Sequence, residues 1–552
     1  MEILGYIIFF ASLLISFTAS FIHYMHMFQL NSYSPFEQGQ WMKKNIGTII
    51  LRHIWAVAAI VYLLVFCFGS YSYQPHQHIL AGAAEQIIYG DTVSHFGFTI
   101  STADLLICAA ILAVSLIFCR HKPAKKKLKF TPRVIRMCVT STIVYGAVCA
   151  LSVIFLYESG LFLPVLCLWQ IFSLVMPMIA NFINKPIEKA VNNHYINDAK
   201  RIINELPNTT VIGITGSYGK TSTKFYLNKL LSAKYNVLMT PESYNTTMGV
   251  VITIRKRLNA SHEIFICEMG AKGVGEIKEI CDIVHPKHSM ITSIGEQHLE
   301  TFKSVDNIIK TKFEIADCIT DGTVVLNFDN EHIRNHGTDK NKITYGIGDG
   351  DYDYKAENIK VSPKGTSFTV VHKGERYDFS TKLLGSHNVQ NIVGAIAVAN
   401  FMGVPFKDLV FPVKRLECVP HRMEILDKGN GVTVIDDAFN SNPAGARAAL
   451  GTLSMMEDCE RIPVTPGMVE LGEREYELNR ELGEFAADCC DAAILVGERQ
   501  APPIKEGLLK KGYPEDKIYV VKDLNEGVKI AYGLNAGRKR VILLENDLPD
   551  NY

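Results

Sequence analysis

The sequence predicts a multi-domain chain, with an N-terminal helical membrane domain of about five spans followed by two α/β domains. Three observations predict it. Long uncharged apolar runs occupy the first third, basic residues gather in only some of the loops between them, and strands alternate with helices from residue 207 onward. The 552 residues exceed what one ordinary core holds. The 56 Lys plus Arg balance 56 Asp plus Glu, so no net field steers the chain toward nucleic acid, and none is expected as a partner.

The spans come first. Ile3–Phe21 carries no charge, and at about 1.5 Å per residue it is long enough to cross roughly 30 Å of hydrocarbon. Ile54–Ser70, Thr102–Cys119, Cys138–Tyr157 and Leu161–Ile183 are the other candidates. No Lys or Arg precedes the first run, so it is not expected to be a cleaved leader. Tyr71–Phe98 has no Lys or Arg, whereas Arg120–Arg136 has eight, and Lys43, Lys44 and Arg52 flank the second span. Positive charges stay inside, which puts the N-terminus outside and everything after Ile183 in the cytoplasm. Ser101-Thr102-Ala103-Asp104 reads as a capped helix start rather than a transport acid. His23 with His26, and His76 with His78, lack further ligands nearby and read as interfacial. Thirteen cysteines without a C-x-x-C spacing read as reduced structural thiols, and Cys489-Cys490 as two small hydrophobes.

The expected boundaries are a transmembrane domain over 1–184, a connector over 185–206, and α/β domains over 207–410 and 411–552. In the first α/β domain, Val211–Gly216, Glu263–Gly270 and His288–Gly295 read as strands. Lys220–Ser232, Glu276–Val284, Ser304–Ile319 and Val389–Met402 read as helices, and Thr366–Gly385 as an antiparallel appendage. In the second, Val432–Asp437, Arg461–Gly467, Ala492–Gly497, Lys517–Lys522 and Arg540–Glu545 read as strands of a further βα series. Two such domains meet along a cleft, the usual place for a ligand.

Between the first strand and helix lies Gly216-Ser217-Tyr218-Gly219-Lys220-Thr221-Ser222. Two glycines permit a tight turn whose N–H groups face an anion at a helix N-terminus. Lys220 adds a point charge for the outer phosphates, and Thr221 a hydroxyl for Mg²⁺. The strict phosphate-loop pattern would have glycine where Ile214 stands. Glu268 at the end of the next strand, His298 after the one following, and Lys312 on the helix beyond could complete a metal and phosphoryl site.

The stretches "GITGSYGKTSTK", "SYNTTMGV", "ICEMGAKGVGEI", "ITSIGEQHLE", "KTKFEIAD", "GSHNVQNIVGAIA", "PHRMEIL", "IDDAFNSNP" and "GMVELGE" resemble, in order, the Mur ligases, nearest the member that adds D-alanyl-D-alanine to the cell-wall precursor. The resemblance implies a P-loop-type ATPase domain, a Rossmann-like C-terminal domain, and ATP-dependent amide formation through an acyl phosphate. It implies that Gly216, Ser217, Gly219, Lys220, Thr221 and Ser222 hold ATP. Thr221 and Glu268 would bind one Mg²⁺, while Glu268, His298 and Lys312 (as its carbamate) would organise a second. Asn388 and Asn391 match the adenine-side pair. Arg422 and Asp437 match residues that reach phosphate and ribose on domain closure. Asn440 and Asn442, and Asn245 where the family has a double Asn, match the substrate side. Lys220, His298, Lys312 and Arg422 are thus the expected catalytic set.

The chain departs from that family where membrane helices replace the soluble domain that binds the UDP-sugar, at Thr246 and Phe439, and in its last ten residues. The expected activity is a ligase in a bacterial cell membrane, catalytic domains in the cytoplasm. It would join an amino acid or dipeptide to a lipid-linked or membrane-proximal envelope precursor. A polymer synthase like the poly-γ-glutamate ligases is a second reading, separable by product length. A nucleotide-powered transporter or sensor is a third; the histidine and lysine of the second metal site speak against it.

Overall fold

The computed structural model describes residues 2–67, 100–118, 127–156, 161–242, 244–297, 299–362, 365–427, 431–438, 442–469, 471–497, 499–534 and 539–546. They form two compact units, one over Met1–Val191 and one over Asn192–Leu548.

The first unit is helical. Its elements are α1 (Glu2–Leu30), α2 (Pro35–Lys44), α3 (Ile46–Tyr62, continuing as a π-turn to Cys67), α4 (Thr102–Phe118), α5 (Pro132–Leu156), α6 (Phe162–Ile171) and α7 (Met176–Asn204), which runs past the unit's end. The packing is inside-out by the standard of a water-soluble protein. Ile7, Leu14, Val57, Val61, Ile143 and Ile154 are exposed on the outside, while Ser16, Arg52, His53, Ser115 and Gln170 are buried. Ser16 bridges Ser115 on α4 (2.6 Å) and accepts from Gln170 on α6 (2.7 Å).

Among the described residues, three helices, Ile3–Leu30, Ile46–Cys67 and Pro132–Leu156, are long and apolar enough to cross a membrane. Of the five spans expected, the described residues show three, or up to four. The run from residue 161 breaks at the 3₁₀ turn Phe172–Leu174 into a pair bent by 68°, which gives a fourth span only if the pair counts as one. Helix α4 is apolar over its 17 described residues. His23 and His26 are both buried on α1; His76 and His78 lie outside the described residues. Asp104 is the expected cap: it accepts from the Ser101 N–H at 2.9 Å, while its own N–H reaches the Ser101 hydroxyl at 3.3 Å.

The second unit contains two sheets. The first runs β1 (Thr210–Thr215), β2 (Val237–Met239), β3 (Ile264–Glu268), β4 (His288–Ile291), β5 (Val324–Asn327), β6 (Lys342–Gly346), β7 (Tyr354–Ser362), β8 (Gly365–His372) and β9 (Glu375–Thr381). Their spatial order is β2-β3-β1-β4-β5-β6-β7-β8-β9, parallel through β7 and antiparallel beyond. The helices are α8 (Lys220–Leu231), α9 (Thr247–Arg257), α10 (Glu276–Val284), α11 (Leu299–Phe302), α12 (Val305–Asp317), α13 (Glu331–His336), α14 (Ser386–Phe401) and α15 (Phe406–Lys414). The chain leaves β1 for one side of the sheet and returns to build the other. The C-terminal end of β1 therefore faces the crevice where strand order reverses, the standard ligand position in such sheets.

The second sheet has order β10-β11-β15-β12-β13-β14, with β10 (Glu424–Asp427), β11 (Val432–Asp437), β12 (Glu460–Thr465), β13 (Ala493–Val496), β14 (Ile518–Val521) and β15 (Arg540–Glu545). Only β10 is antiparallel, pairing Glu424 with Asp436 on β11. Helices α16 (Pro443–Ser454), α17 (Glu475–Ala486), α18 (Ala501–Lys510) and α19 (Leu524–Gly533) cover it.

Helix α14 locks onto the first sheet. Val389, Ile392, Val393 and Ile396 are fully buried, each contributing about 1.5–3 kcal/mol of transfer free energy. Gly394 lets the helix approach, because a Cβ there would stand 2.7 Å from the Tyr345 ring and closer still to the Met290 methyl. Gly394→Val is expected to cost about 1–3 kcal/mol by overpacking, read as a lower melting temperature of this unit. An unchanged melting temperature would mean that Tyr345 and Met290 yield freely.

Candidate active site

Strand β1 delivers the chain to a loop that only glycine can complete. Gly216 has φ 152° and Gly219 φ 79°. A Cβ on Gly216 would strike the Thr292 hydroxyl and the Ser293 backbone, and one on Gly219 would meet the Asn391 amide. Residues after β4 hold the loop: Ser217 N–H donates to the Ser293 carbonyl at 2.7 Å, and Tyr218 N–H to the Ser293 hydroxyl at 2.9 Å. Lys220 folds back over the loop, donating to the carbonyls of Gly216 (2.7 Å) and Ser217 (3.1 Å). Burial lowers its pKa to about 8, with Glu268 opposing and Arg422 assisting.

Glu268, at the end of β3, is fully buried. Thr221 and Asn245 donate to its Oε1 at 3.0 Å each. Its Oε2 pairs with Lys224 at 2.9 Å, both side chains being fully buried. Burial pushes the carboxyl up, yet Lys224 and Lys220 together hold it below its ordinary value. Lys224, which also donates to the Glu242 carbonyl, escaped sequence reasoning. The available signal was its spacing: it follows Lys220 by one helical turn, on the buried side of α8.

Lys312 is buried on α12 with its ammonium 6.0 Å from the Phe302 ring centre. Burial, then Lys220, lowers its pKa to about 7 against Glu276 and Glu314. His298 and Asn440 lie outside the described residues.

A cavity of about 480 Å³ opens beside the loop. Tyr218, Gly219, Ser222, Asn388 and Asn391 line it from the first sheet's side, and Arg422, Asp437 and Asn442 from the second's. Asp437 accepts from Met423 N–H at 3.1 Å, and burial raises its pKa to about 6. Burial lowers the Arg422 guanidinium pKa, opposed by Asp437 and Glu268. The two sheets are also tied by an Arg474–Glu296 ion pair that sequence reasoning missed. His387, also on the cavity wall, is lowered to about 4 by burial and is neutral at pH 7.

Several expected ligand groups are occupied by the protein. Asn388 accepts from the Tyr226 hydroxyl at 2.8 Å and donates to the Leu384 carbonyl at 2.8 Å. Asn391 accepts from Thr223 at 3.3 Å. Asn442 caps α16 by accepting from Gly445 N–H at 2.7 Å. Asn245 faces Glu268. The donor set still fits a hard divalent cation, because Thr221 and Glu268 present oxygens beside the phosphate loop. An ammonium at Lys312 does not fit such a cation; a carbamate there would supply the oxygens it prefers.

Breaking the buried pair is the sharpest structural test. Lys224→Met would leave Glu268 buried without its cation, at a cost of about 3–5 kcal/mol. Adding Glu268→Gln to the same chain is expected to recover most of that loss. The pair holds Glu268 below its ordinary value, so its contribution is present at neutral pH and lost only as pH falls below the usual carboxylate range. Wild-type stability in the single variant at pH 7 would contradict this reading.

Family models match two regions, the Mur ligase middle domain over residues 214–399 and the Mur ligase glutamate ligase domain over 421–545. The UDP-N-acetylmuramoyl-tripeptide–D-alanyl-D-alanine ligase of Bacillus subtilis is 32% identical over 336 residues, 60% of this chain and 72% of that enzyme. Of other curated relatives the chain spans between 56% and 65% of the length. Among solved structures, MurF from Acinetobacter baumannii superposes with TM-score 0.59 at 26% identity, covering 64% of this chain and 77% of that one. MurF from Thermotoga maritima in complex with ADP gives TM-score 0.58 at 26% identity, covering 64% and 80%. Residues before 214 lie outside both family matches. From the phosphate loop to the last strand, this chain belongs to the Mur ligase family of ATP-dependent carbon–nitrogen ligases.

Proposed function

We propose that the protein is a membrane-anchored ligase that activates a carboxylate of a peptidoglycan precursor with ATP and joins it to an amine of the D-alanyl-D-alanine class. The observation that carries this is one cavity, lined by the phosphate loop on one side and by Arg422 and Asp437 on the other. A phosphate site alone would serve many nucleotide-binding proteins; a second domain closing an arginine onto it suits phosphoryl transfer.

In this reading, Gly216–Thr221 hold the ATP phosphates, and Lys220 leaves its own loop's carbonyls to meet them. The substrate carboxylate oxygen attacks the γ-phosphorus, the bond to the bridging oxygen breaks, and ADP departs. The amine nitrogen then attacks the acyl carbon, loses a proton, and expels phosphate from a tetrahedral intermediate. Lys220 and Arg422 face the charge that builds on the transferring group. Thr221 and Glu268 are the donors that would hold Mg²⁺, whose contribution is further charge neutralisation. Asp437 is suited to the ribose, being an acceptor on the cavity wall.

Membrane anchoring is supported by the apolar outer surface and buried polar interior of the first unit. The loop charges favour the N-terminus outside and the ligase domains in the cytoplasm. We propose further that the acceptor is carried on a lipid. The B. subtilis relative is named for a UDP-linked muramoyl tripeptide, and the test must separate the two. ADP release by the full chain in detergent micelles, with ATP and D-alanyl-D-alanine, should exceed background with a lipid-linked muramoyl peptide. Release only with the UDP-linked peptide would overturn the lipid part, and release with neither the ligase reading. Lys220→Ala should abolish release in either case.

Lys312 gives a pH test. Its amine is neutral above about 7, and only the neutral amine attacks CO₂, losing a proton to become a carbamate. Ligation should therefore rise as pH climbs through 7 and fall when bicarbonate is removed. Lys312→Ala is expected to lose about 100-fold or more. Lys312→Glu should recover part of that and lose the bicarbonate dependence. Ligation by Lys312→Ala at the wild-type rate would contradict the carbamate.

A further inference from the structure

The first unit has a buried cation with no ion pair among the described residues. Arg52 is 5% exposed, on the buried side of α3 that also carries His53, Ala56 and Ala59. Its Nε and Nη1 have no hydrogen-bond partner among the described residues. Among the described residues of this unit, Glu188 pairs with Arg136 at 2.7 Å and Asp104 is held by Ser101 and Tyr62. A desolvated, unpaired guanidinium is costly, and ionisable groups inside an apolar bundle mark ligand sites far more often than they serve packing.

The next residue on α3, His53, feels the Arg52 charge and is itself in polar company. Tyr24 on α1 meets His53 Nε2 at 2.9 Å with the rings stacked. If the Tyr24 hydroxyl donates there, Nδ1 carries the proton and has the Gln170 amide as a neighbour rather than a full hydrogen bond. Gln170 on α6 lies beside His53. Helix α6 then breaks at Phe172–Leu174, where Ser173 is fully buried with an unpartnered hydroxyl. A broken helix inside an apolar bundle is tolerated where it lines a polar site, and such breaks are where membrane proteins bind charged groups.

The chemistry of these groups is that of an oxyanion site: a fork of guanidinium N–H donors, a hydroxyl and an imidazole N–H. Depth indicates the anion. Arg52 lies six residues inside the start of α3 at Ile46, or about 9 Å, below the exposed Lys43 and Lys44. With the membrane surface at the start of α3, that depth falls at the boundary of headgroups and acyl chains. We infer that the first unit binds the phosphate head of a lipid against Arg52, with His53 and Ser173 as flanking donors. This deepens the lipid-linked acceptor reading and rests on it; the first unit selects the acceptor's lipid phosphate rather than only tethering the enzyme.

All three tryptophans, Trp41, Trp55 and Trp169, lie in this unit, so selectively excited tryptophan emission reports it alone. The full chain in maltoside micelles is titrated with hexadecyl phosphate, hexadecanol and inorganic phosphate, without ATP or amine. The expected result is a saturable emission change with hexadecyl phosphate, at least tenfold weaker in Arg52→Gln, and none with hexadecanol. Ser173→Ala should weaken it severalfold, and Arg52→Lys less than Arg52→Gln. Equal responses to hexadecanol, or wild-type affinity in a folded Arg52→Gln, would overturn the site. Inorganic phosphate binding as tightly as hexadecyl phosphate would overturn the lipid assignment. If Arg52→Gln loses its helix content or its single size-exclusion peak, Arg52→Lys and Ser173→Ala carry the comparison. Full binding of hexadecyl phosphate by an enzyme that ligates only the UDP-linked peptide would refute the acceptor reading while leaving this site in place.

Discussion

The Glu268–Lys224 pair is the constraint on which the catalytic half depends. It joins the end of β3 to the second turn of α8, and the same carboxylate collects Thr221 from the phosphate loop and Asn245 from the loop before α9. Three segments far apart in sequence, the start of α8, the end of β3 and the loop before α9, therefore share one buried charge. A carboxylate in that position is useful for a cation only if it stays ionised, and Lys224 and Lys220 keep it so. The loop above it is fixed independently by Ser293 and by the close approach of Asn391 to Gly219. Preorganisation of this kind lets charge develop on a phosphoryl group without rearranging the protein.

Around that centre the two sheets act as jaws. Arg422 and Asp437 come from the turn before β10 and the end of β11, yet they face the same cavity as Gly219. The Arg474–Glu296 pair fastens one sheet's loops to the other's at the same side. The inside-out first unit follows the opposite solvent rule, hiding Arg52, His53 and Gln170 while showing aliphatic side chains outward. One chain thus obeys two solvents, and the change occurs before β1.

The parts legible in the sequence were those fixed by local chemistry. The glycine loop, the Ser101–Asp104 cap and the long βα alternation each need only neighbours in sequence, and each lies where expected. Short strands such as Val324–Asn327, Lys342–Gly346 and Glu424–Asp427 were not legible, because polar flanks hide a four- or five-residue run. Lys224 reads as one more solvated helix lysine until β3 brings Glu268 beside it. Asn388 reads as a ligand group by motif, whereas Tyr226 and Leu384 occupy both ends of its side chain. Hydropathy likewise reads straight through Ser173, where the helix breaks.

The most direct measurement of the central claim follows oxygen. If a substrate carboxylate attacks ATP in this cavity, one of its oxygens must leave with the phosphate when the amine arrives. With an acceptor labelled with ¹⁸O in that carboxylate, the released inorganic phosphate should carry one ¹⁸O per amide formed, and Lys220→Ala should release none. Unlabelled phosphate formed alongside the amide, or ATP hydrolysis that never labels phosphate whatever the acceptor, would contradict a ligase acting through an acyl phosphate.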